Sequence, residues 1–388
     1  MLDVGPVLKT KGKMSTAASF SHSYAEARAK FRAAAREAGA RISSFHNPAA
    51  APAGAICESS GIAPADDDEA LSADAAWIGP RGATRLIYVQ SGTHGVEGFC
   101  GSGIQIGWLE QGLHRELPRD TALLLTHAVN PYGFAWQRRV TEDNVDLNRN
   151  FVDHASGHPT NGGYEALKEA ICPPQWTAAT VAAADRVLMG YAREHGPMAL
   201  QAAITSGQYS HADGVFYGGR GETWSNRMVI ELLRAHAALA KQVAFIDLHT
   251  GLGPYGVGEI MNSHAAGEPA FARVADWFGG EATSTDTGSS SSAPVSGDIT
   301  LGVQRALPQA DVTAVTLEYG TVSLKDVLDA VRADNWLHAH GDLRARQARD
   351  IKAQIRGAFY PEAADWKSMV FERSIDVLRR AAAGLAQS

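Results

Sequence analysis

Cysteine is scarce in this chain. Cys57, Cys100 and Cys172 are the only three in 388 residues, an odd and widely spaced set that excludes a disulfide framework and points to a reducing compartment. Cys100 has no convincing partner base and reads as a small packed side chain rather than a nucleophile. No run of about eighteen apolar residues occurs, so no membrane-spanning segment is expected. A basic stripe is missing too. The formal net charge is −7, the pI is near 6.1, and basic residues are scattered apart from pairs such as Arg138-Arg139, which excludes an obvious nucleic-acid partner. The N-terminal residues lack the apolar core of a secretory signal. Internal repeats are absent, the cytoplasm is the expected location, and composition leaves the oligomeric state open.

What is present begins with THGVEG. His94 and Glu97 lie three residues apart, just after the apolar run RLIYVQSG, and of the fourteen histidines His94 alone has an acid at that spacing. Gly92, Gly95 and Gly98 permit a tight backbone path there. Imidazole nitrogen and carboxylate oxygen are both zinc donors, and a catalytic zinc keeps three protein ligands and one open position. The bland reading of the same pair is a helix-capping Glu97 beside a buried, satisfied His94.

A third donor is suggested by QVAFIDLHTGLGPYG, where a β-rich run ends at His249 and a Gly-rich turn begins. Ligands of open α/β sheets bind at the carboxyl ends of strands, so two such histidines converge although far apart in sequence. Asp247 is expected to point away from Leu248 and to pair with a neighbouring loop. The segment NPYGFAWQRRVTEDNVDLNRNF concentrates Arg, Asn and Asp after an apolar strand. Arg149 with Asn148 suits a carboxylate, and Arg138 or Arg139 suits a carbonyl oxygen that becomes negative during attack. In DVTAVTLEYGT, Glu318 sits near the end of a β-branched run, where a carboxylate beside a metal can shuttle a proton.

Taken in order, HGVE, NPYG with DLNRNF, LHTG and TLEYGT resemble the zinc carboxypeptidase family, and most closely an uncharacterised bacterial branch near the succinylglutamate desuccinylase and aspartoacylase relatives. The resemblance spans about residues 70 to 340. It implies that His94, Glu97 and His249 bind one zinc per chain and that Glu318 is the general base. It also implies that Asn148 and Arg149 hold a substrate carboxylate and that Asp146 supports His94. Arg139 is the first choice for the oxyanion and Arg138 the second. No motif aligns the tyrosine that closes over substrate in digestive carboxypeptidases. Tyr217, Tyr255 and Tyr319 are candidates, with Tyr209 or Tyr217 offered by the aromatic stretch at residues 206–219. The implied activity is a metallocarboxypeptidase removing a C-terminal residue from a peptide. The alternatives are an N-acyl amino acid amidohydrolase and, in another class, a catalytically silent binding module.

Alternating strand and helix patterns predict an α/β fold, with a mixed, largely parallel central sheet and helices on both faces, as in the zinc carboxypeptidases. The reading divides the chain into a flexible tail at residues 1–20 and one domain at 21–388, with core at about 70–340 and C-terminal helices at 341–388. Residues 24–40 read as a surface helix, HNPAAAPAGA as a loop and the acidic run at 66–69 as a solvated turn. ALSADAAWIG and TRLIYVQSG read as a hairpin. Residues 98–112, 163–194, 226–241, 323–339 and 351 onward read as helical, with Ser323 an N-cap. Residues 283–298 are expected to be mobile because they are too polar to pack. Among the other histidines, His127 is expected to be buried, His338 and His340 exposed, and His154 and His158 near the mouth of the site.

Overall fold

The computed structural model describes residues 16–52, 55–63 and 70–387. The expected tail therefore lies outside the described residues as far as residue 15, as does the acidic turn at 66–69.

Among the described residues eight strands form one sheet: β1 (Arg41–His46), β2 (Ser72–Ile78), β3 (Arg85–Ser91), β4 (Thr121–His127), β5 (Gln242–Tyr255), β6 (Gly258–Asn262), β7 (Ala282–Thr283) and β8 (Asp311–Gly320). Their spatial order is β1-β2-β4-β3-β5-β8-β6-β7. The central four, β4, β3, β5 and β8, run parallel, whereas β1, β2 and β6 join antiparallel. The sheet is thus mixed and largely parallel, as expected.

The central strands are nearly continuous apolar runs because both of their faces are covered. Ile87, Val89, Ala244 and Ile246 pack in one buried cluster, with the helices Tyr24–Glu37, Gly98–Glu110 and Ala364–Gln387. The alternate residues Leu86, Tyr88, Val243 and Phe245 pack in another, with the helices Trp224–His236 and Ile299–Ala306. A third cluster sits beyond the strand ends and joins the helices Gly162–Ile171, Ala178–His195, Pro197–Thr205, Leu324–Ala339 and Gln347–Phe359.

Three expectations need correction. β2 and β3 do not form a hairpin: β4 lies between them, because the helix Gly98–Glu110 carries the chain over the sheet and returns it on that side. The helical reading of residues 163–194 resolves into two helices broken around Pro173 and Pro174, where proline removes the N–H that would continue the ladder. Residues 283–298 pack in part, although they were expected to be too polar to pack, and Asp286–Ser289 are exposed. Ser284 and Ala293 are buried, and the Glu259 carboxylate accepts the Ser291 N–H and hydroxyl at 3.1 and 2.6 Å. Polar residues pack here because the half-buried Glu259 carboxylate satisfies them. β1 and the short helix Ala55–Ser60 were not anticipated. Ser323 does cap its helix, its side chain accepting the Asp326 N–H.

Among the described residues no helix is long and apolar enough to cross a membrane.

Candidate metal centre

β3 and β5 are adjacent and parallel, with Gln90 opposite Asp247 and Ser91 opposite Leu248. Both strands end at the same edge of the sheet, which is why residues so distant in sequence meet there. After β3 the chain turns at Gly92 (φ 68°), a conformation that glycine adopts without steric cost. His94 then precedes the single 3-10 turn Gly95–Glu97, which sends both side chains the same way. Gly95 has no room for a side chain: a Cβ there would lie 1.9 Å from the Gly133 carbonyl carbon. That close approach lets the Gly95 and Val96 N–H groups donate to the Arg139 and Arg138 carbonyls at 3.2 and 2.8 Å.

Three donors converge. His94 Nδ1 lies 2.8 Å from Glu97 Oε1, His249 Nδ1 lies 3.1 Å from Glu97 Oε2, and the two Nδ1 atoms are 3.2 Å apart. The three residues are buried and form a group able to hold a metal ion. Such spacing lets one ion reach all three donors at roughly 2.0–2.2 Å. Each imidazole turns its other nitrogen to an acid: His94 Nε2 is 3.1 Å from Asp146 Oδ1 and His249 Nε2 is 2.5 Å from Asp247 Oδ2. With Nε2–H donated to a carboxylate, each Nδ1 is turned inward, where a proton or a metal cation can lie between the two rings. The residues therefore fit zinc.

The electrostatics agree. Burial opposes ionisation of Glu97, but His94 and His249 outweigh it and hold the carboxyl below its usual range. Burial would strip His249 of its proton, yet Asp247 and Glu97 keep it well above the ordinary imidazole value when no metal is bound, so a metal ion binding at Nδ1 would displace a proton from this ring. Glu97 also accepts the Thr250 N–H at 3.0 Å and Arg139 Nη1 at 3.2 Å.

Glu318 stands opposite His249 in the register of β5 and β8, and its Oε1 accepts the Leu252 N–H at 3.0 Å. Burial, with the Glu97 charge adding to it, pushes its carboxyl up to about 8. A cation beside it would draw that value down again. Glu318, His94, His249, Arg139, Asn148 and Arg149 line one cavity of about 730 Å³.

The two adjacent arginines diverge. Arg139 Nε donates to Asp146 Oδ2 at 2.9 Å, and its guanidinium lies over the Phe216 ring at 5.2 Å. Arg138 turns the other way, to Asp334 and Asn144 at 3.2 and 2.9 Å, and does not line the cavity. Arg149 gives Nε and Nη2 to the Thr205 carbonyl and Nη1 to the Asn148 carbonyl. Asn148 Oδ1 accepts the Ile299 N–H at 2.9 Å.

The tyrosine expectations do not meet this geometry. Tyr217 is buried and does not line the cavity; its carbonyl accepts the Asp146 N–H at 2.7 Å. Tyr209 is turned to the Arg149 carbonyl at 2.6 Å, Tyr255 is exposed, and Tyr319 is fully buried. Among the described residues no tyrosine lines the cavity. His127 is buried against Phe31 and Ser102. His154 and His158 contact each other away from the cavity lining. His338 is largely buried beside Lys352 rather than exposed, because the helices Leu324–Ala339 and Gln347–Phe359 cover it. Burial, and then the charges of Glu97 and Glu318, push the Cys100 thiol well up.

Asp247 pairs with the Thr93 hydroxyl of the neighbouring loop at 2.7 Å, as expected, and also supports His249, which was missed. The signal was available, since residues two apart on a strand share a face. Asp247→Asn is expected to weaken zinc affinity by about 10–100-fold, read by competition with a chelating dye. Unchanged affinity would remove the orienting role.

The family model described as "Protein of unknown function (DUF2817)" matches residues 20–373. No curated protein matches the chain. Among solved structures, carboxypeptidase A from Helicoverpa armigera is similar at 14% identity and a TM-score of 0.45, over 90% of this chain and 76% of that one. Succinylglutamate desuccinylase from Chromobacterium violaceum is similar at 14% and 0.34, over 84% and 73%. Murein-tripeptide amidase MpaA from Escherichia coli O157 is similar at 15% and 0.29, over 70% and 86%. The chemistry of the site rests on this chain's own side chains.

Proposed function

This chain belongs to the DUF2817 family, and we propose that it is a zinc-dependent hydrolase of an amide bond next to a free carboxylate. The first reading is a metallocarboxypeptidase. The observation that carries the proposal is the convergence of two carboxylate-backed imidazoles and Glu97 within 3.2 Å, in the same cavity as Glu318 and two arginines.

A zinc ion held by His94, Glu97 and His249 would supply a Lewis acid and lower the pKa of a water to about 7. Glu318 takes the proton of the attacking water and returns it to the leaving nitrogen. Arg139, oriented by Asp146 and Glu97, offers its remaining N–H groups to the carbonyl oxygen as negative charge develops there. Loss of one such donor costs about 2.7–4 kcal/mol of barrier. Arg149 spends one N–H of each nitrogen on the Thr205 and Asn148 carbonyls. One N–H is left on each terminal nitrogen, the pair a carboxylate takes bidentately.

A second reading, an N-acyl amino acid amidohydrolase, is favoured by the apolar helices that line the outer cavity, among them Leu188, Leu200 and Leu328. Elemental analysis is expected to find one zinc per chain, and less than about half a metal per chain in carefully prepared protein would sink the proposal. Release of free amino acid from peptides against N-acyl amino acids then separates the two readings.

A further inference from the structure

Beyond the metal centre the cavity is walled by three helices. On Ala178–His195 the lining residues are Leu188, Met189 and Ala192, after Asp185. On Pro197–Thr205 they include Leu200 and Ile204. On Leu324–Ala339 they include Leu324, Leu328 and Val331. Each set recurs at three- or four-residue spacing, so each is one helical face turned to the same space. Leu188, Ile204 and Val331 also belong to the buried cluster beneath. The wall is therefore core-like on its inner side, and it opens outward at Met189 and Leu324, which are 53% and 48% exposed.

The charges on this wall are spent on each other. Arg332 Nη1 donates to Asp185 and Asp329, both at 2.9 Å, while its Nε and Nη2 donate to the Ile171 and Ala170 carbonyls. Lys325 pairs with Asp185 at 3.1 Å and with Asp329. No uncompensated charge remains among these four to receive a charged substrate group. The carboxylate-binding residues stand at one end of this wall: Arg149 is tied to the Thr205 carbonyl, at the end of the helix Pro197–Thr205, and Asn148 to the Ile299 N–H. An occupant anchored at Asn148 and Arg149 by its carboxylate has the rest of the wall, as far as Leu324–Ala339, to lie along.

We propose that this wall is the subsite for an apolar acyl chain, so that the substrate is an N-acyl amino acid with an acyl group of about eight carbons or more. The inference rests on the second reading above, the N-acyl amino acid amidohydrolase, and sets it ahead of the carboxypeptidase, but the binding it predicts does not depend on turnover. A volume of about 730 Å³ far exceeds what one amino acid fills and falls in the range of sites that enclose drug-sized ligands. A methylene fully withdrawn from water on this wall strengthens binding by about fourfold.

Calorimetry with N-acetyl-, N-octanoyl- and N-dodecanoylglycine on zinc-loaded Glu318→Gln protein, with hydrolysis followed separately on the unsubstituted protein, tests this. The Kd is expected to fall at least about a hundredfold from acetyl to octanoyl. Met189→Glu with Leu324→Glu should flatten that dependence, and because both positions are exposed the variant should fold; its circular dichroism checks this. A Kd independent of chain length overturns the inference. So does affinity that follows the side chain on the amino side, tested with N-acetyl-leucine and N-acetyl-phenylalanine. Chain-dependent binding without hydrolysis of any member supports the subsite and overturns the hydrolase reading. Equal hydrolysis and equal affinity across the series does the reverse.

Discussion

Glu318→Gln is expected to cut turnover by about 10²–10⁴-fold while leaving the zinc content of the protein unchanged. The two readouts part because Glu318 and the donors do different things. Glu318 accepts only the Leu252 N–H through Oε1 and otherwise faces the cavity that His94 and His249 line, so glutamine can keep that bond and the shape. What glutamine lacks is a basic oxygen to take a proton. Glu97→Gln should behave in the opposite sense. Glu97 is one corner of the donor triangle and accepts from Thr250 and Arg139, so its replacement is expected to empty the site of metal and abolish turnover with it. Metal content by elemental analysis and kcat on the same preparations decide the matter. A Glu318→Gln protein that turns over normally would show that another group carries the proton.

Asp334→Ala is expected to destabilise the protein by about 3–5 kcal/mol, the typical cost of leaving a buried charge without its partner. Asp334 lies on the helix Leu324–Ala339 and is 4% exposed at its side chain; Oδ1 is 2.5 Å from Lys352 Nζ and Oδ2 is 3.2 Å from Arg138 Nε. Lys352 is itself buried, also donates to the Trp136 carbonyl at 2.9 Å, and burial pushes its ammonium down to about 8 despite the pull of Asp334. Removing Asp334 strands two cations at once. The loss should also reach the site, because the turn they grip runs through Arg138 and Arg139, whose carbonyls hold the Val96 and Gly95 N–H groups. Urea unfolding of the zinc-loaded protein measures the cost. A change under about 1 kcal/mol would place the pair with ordinary surface ion pairs and deny it this structural part.

Much of the centre was legible because strand ends are readable. The runs before His94, His249 and Glu318 are apolar and β-rich, as strands buried on both faces must be, and glycine marks where the first and last stop; β5 was expected to end at His249 but runs on to Tyr255, and its glycines mark only a break in register after Thr250. The hairpin between β2 and β3 was misread for the complementary reason. Nearness in sequence makes two strands look paired, but the helix after His94 returns the chain as β4, and β4 takes the place beside β3. Residues 283–298 were misread because their serines look solvated until Glu259, on β6, is seen to accept from them. The closing tyrosine had no local signal at all, and none of the candidates lines the cavity.

The sequence by itself determined the kinds of donor and the strand ends that carry them, since composition and periodicity are local properties of the chain. Only the tertiary structure decided which of Arg138 and Arg139 lines the cavity. Consecutive residues on a turn point apart, and which one faces the cavity depends on the acid that each meets. Asp146, seven residues on, draws Arg139 to the donors, while Asp334, from a helix far along the chain, draws Arg138 away. The apolar wall is of the same origin. Three helices, each with an ordinary amphipathic face, enclose a cavity only because ion pairs and core packing set two of those faces against one another, and no single helix encodes that meeting.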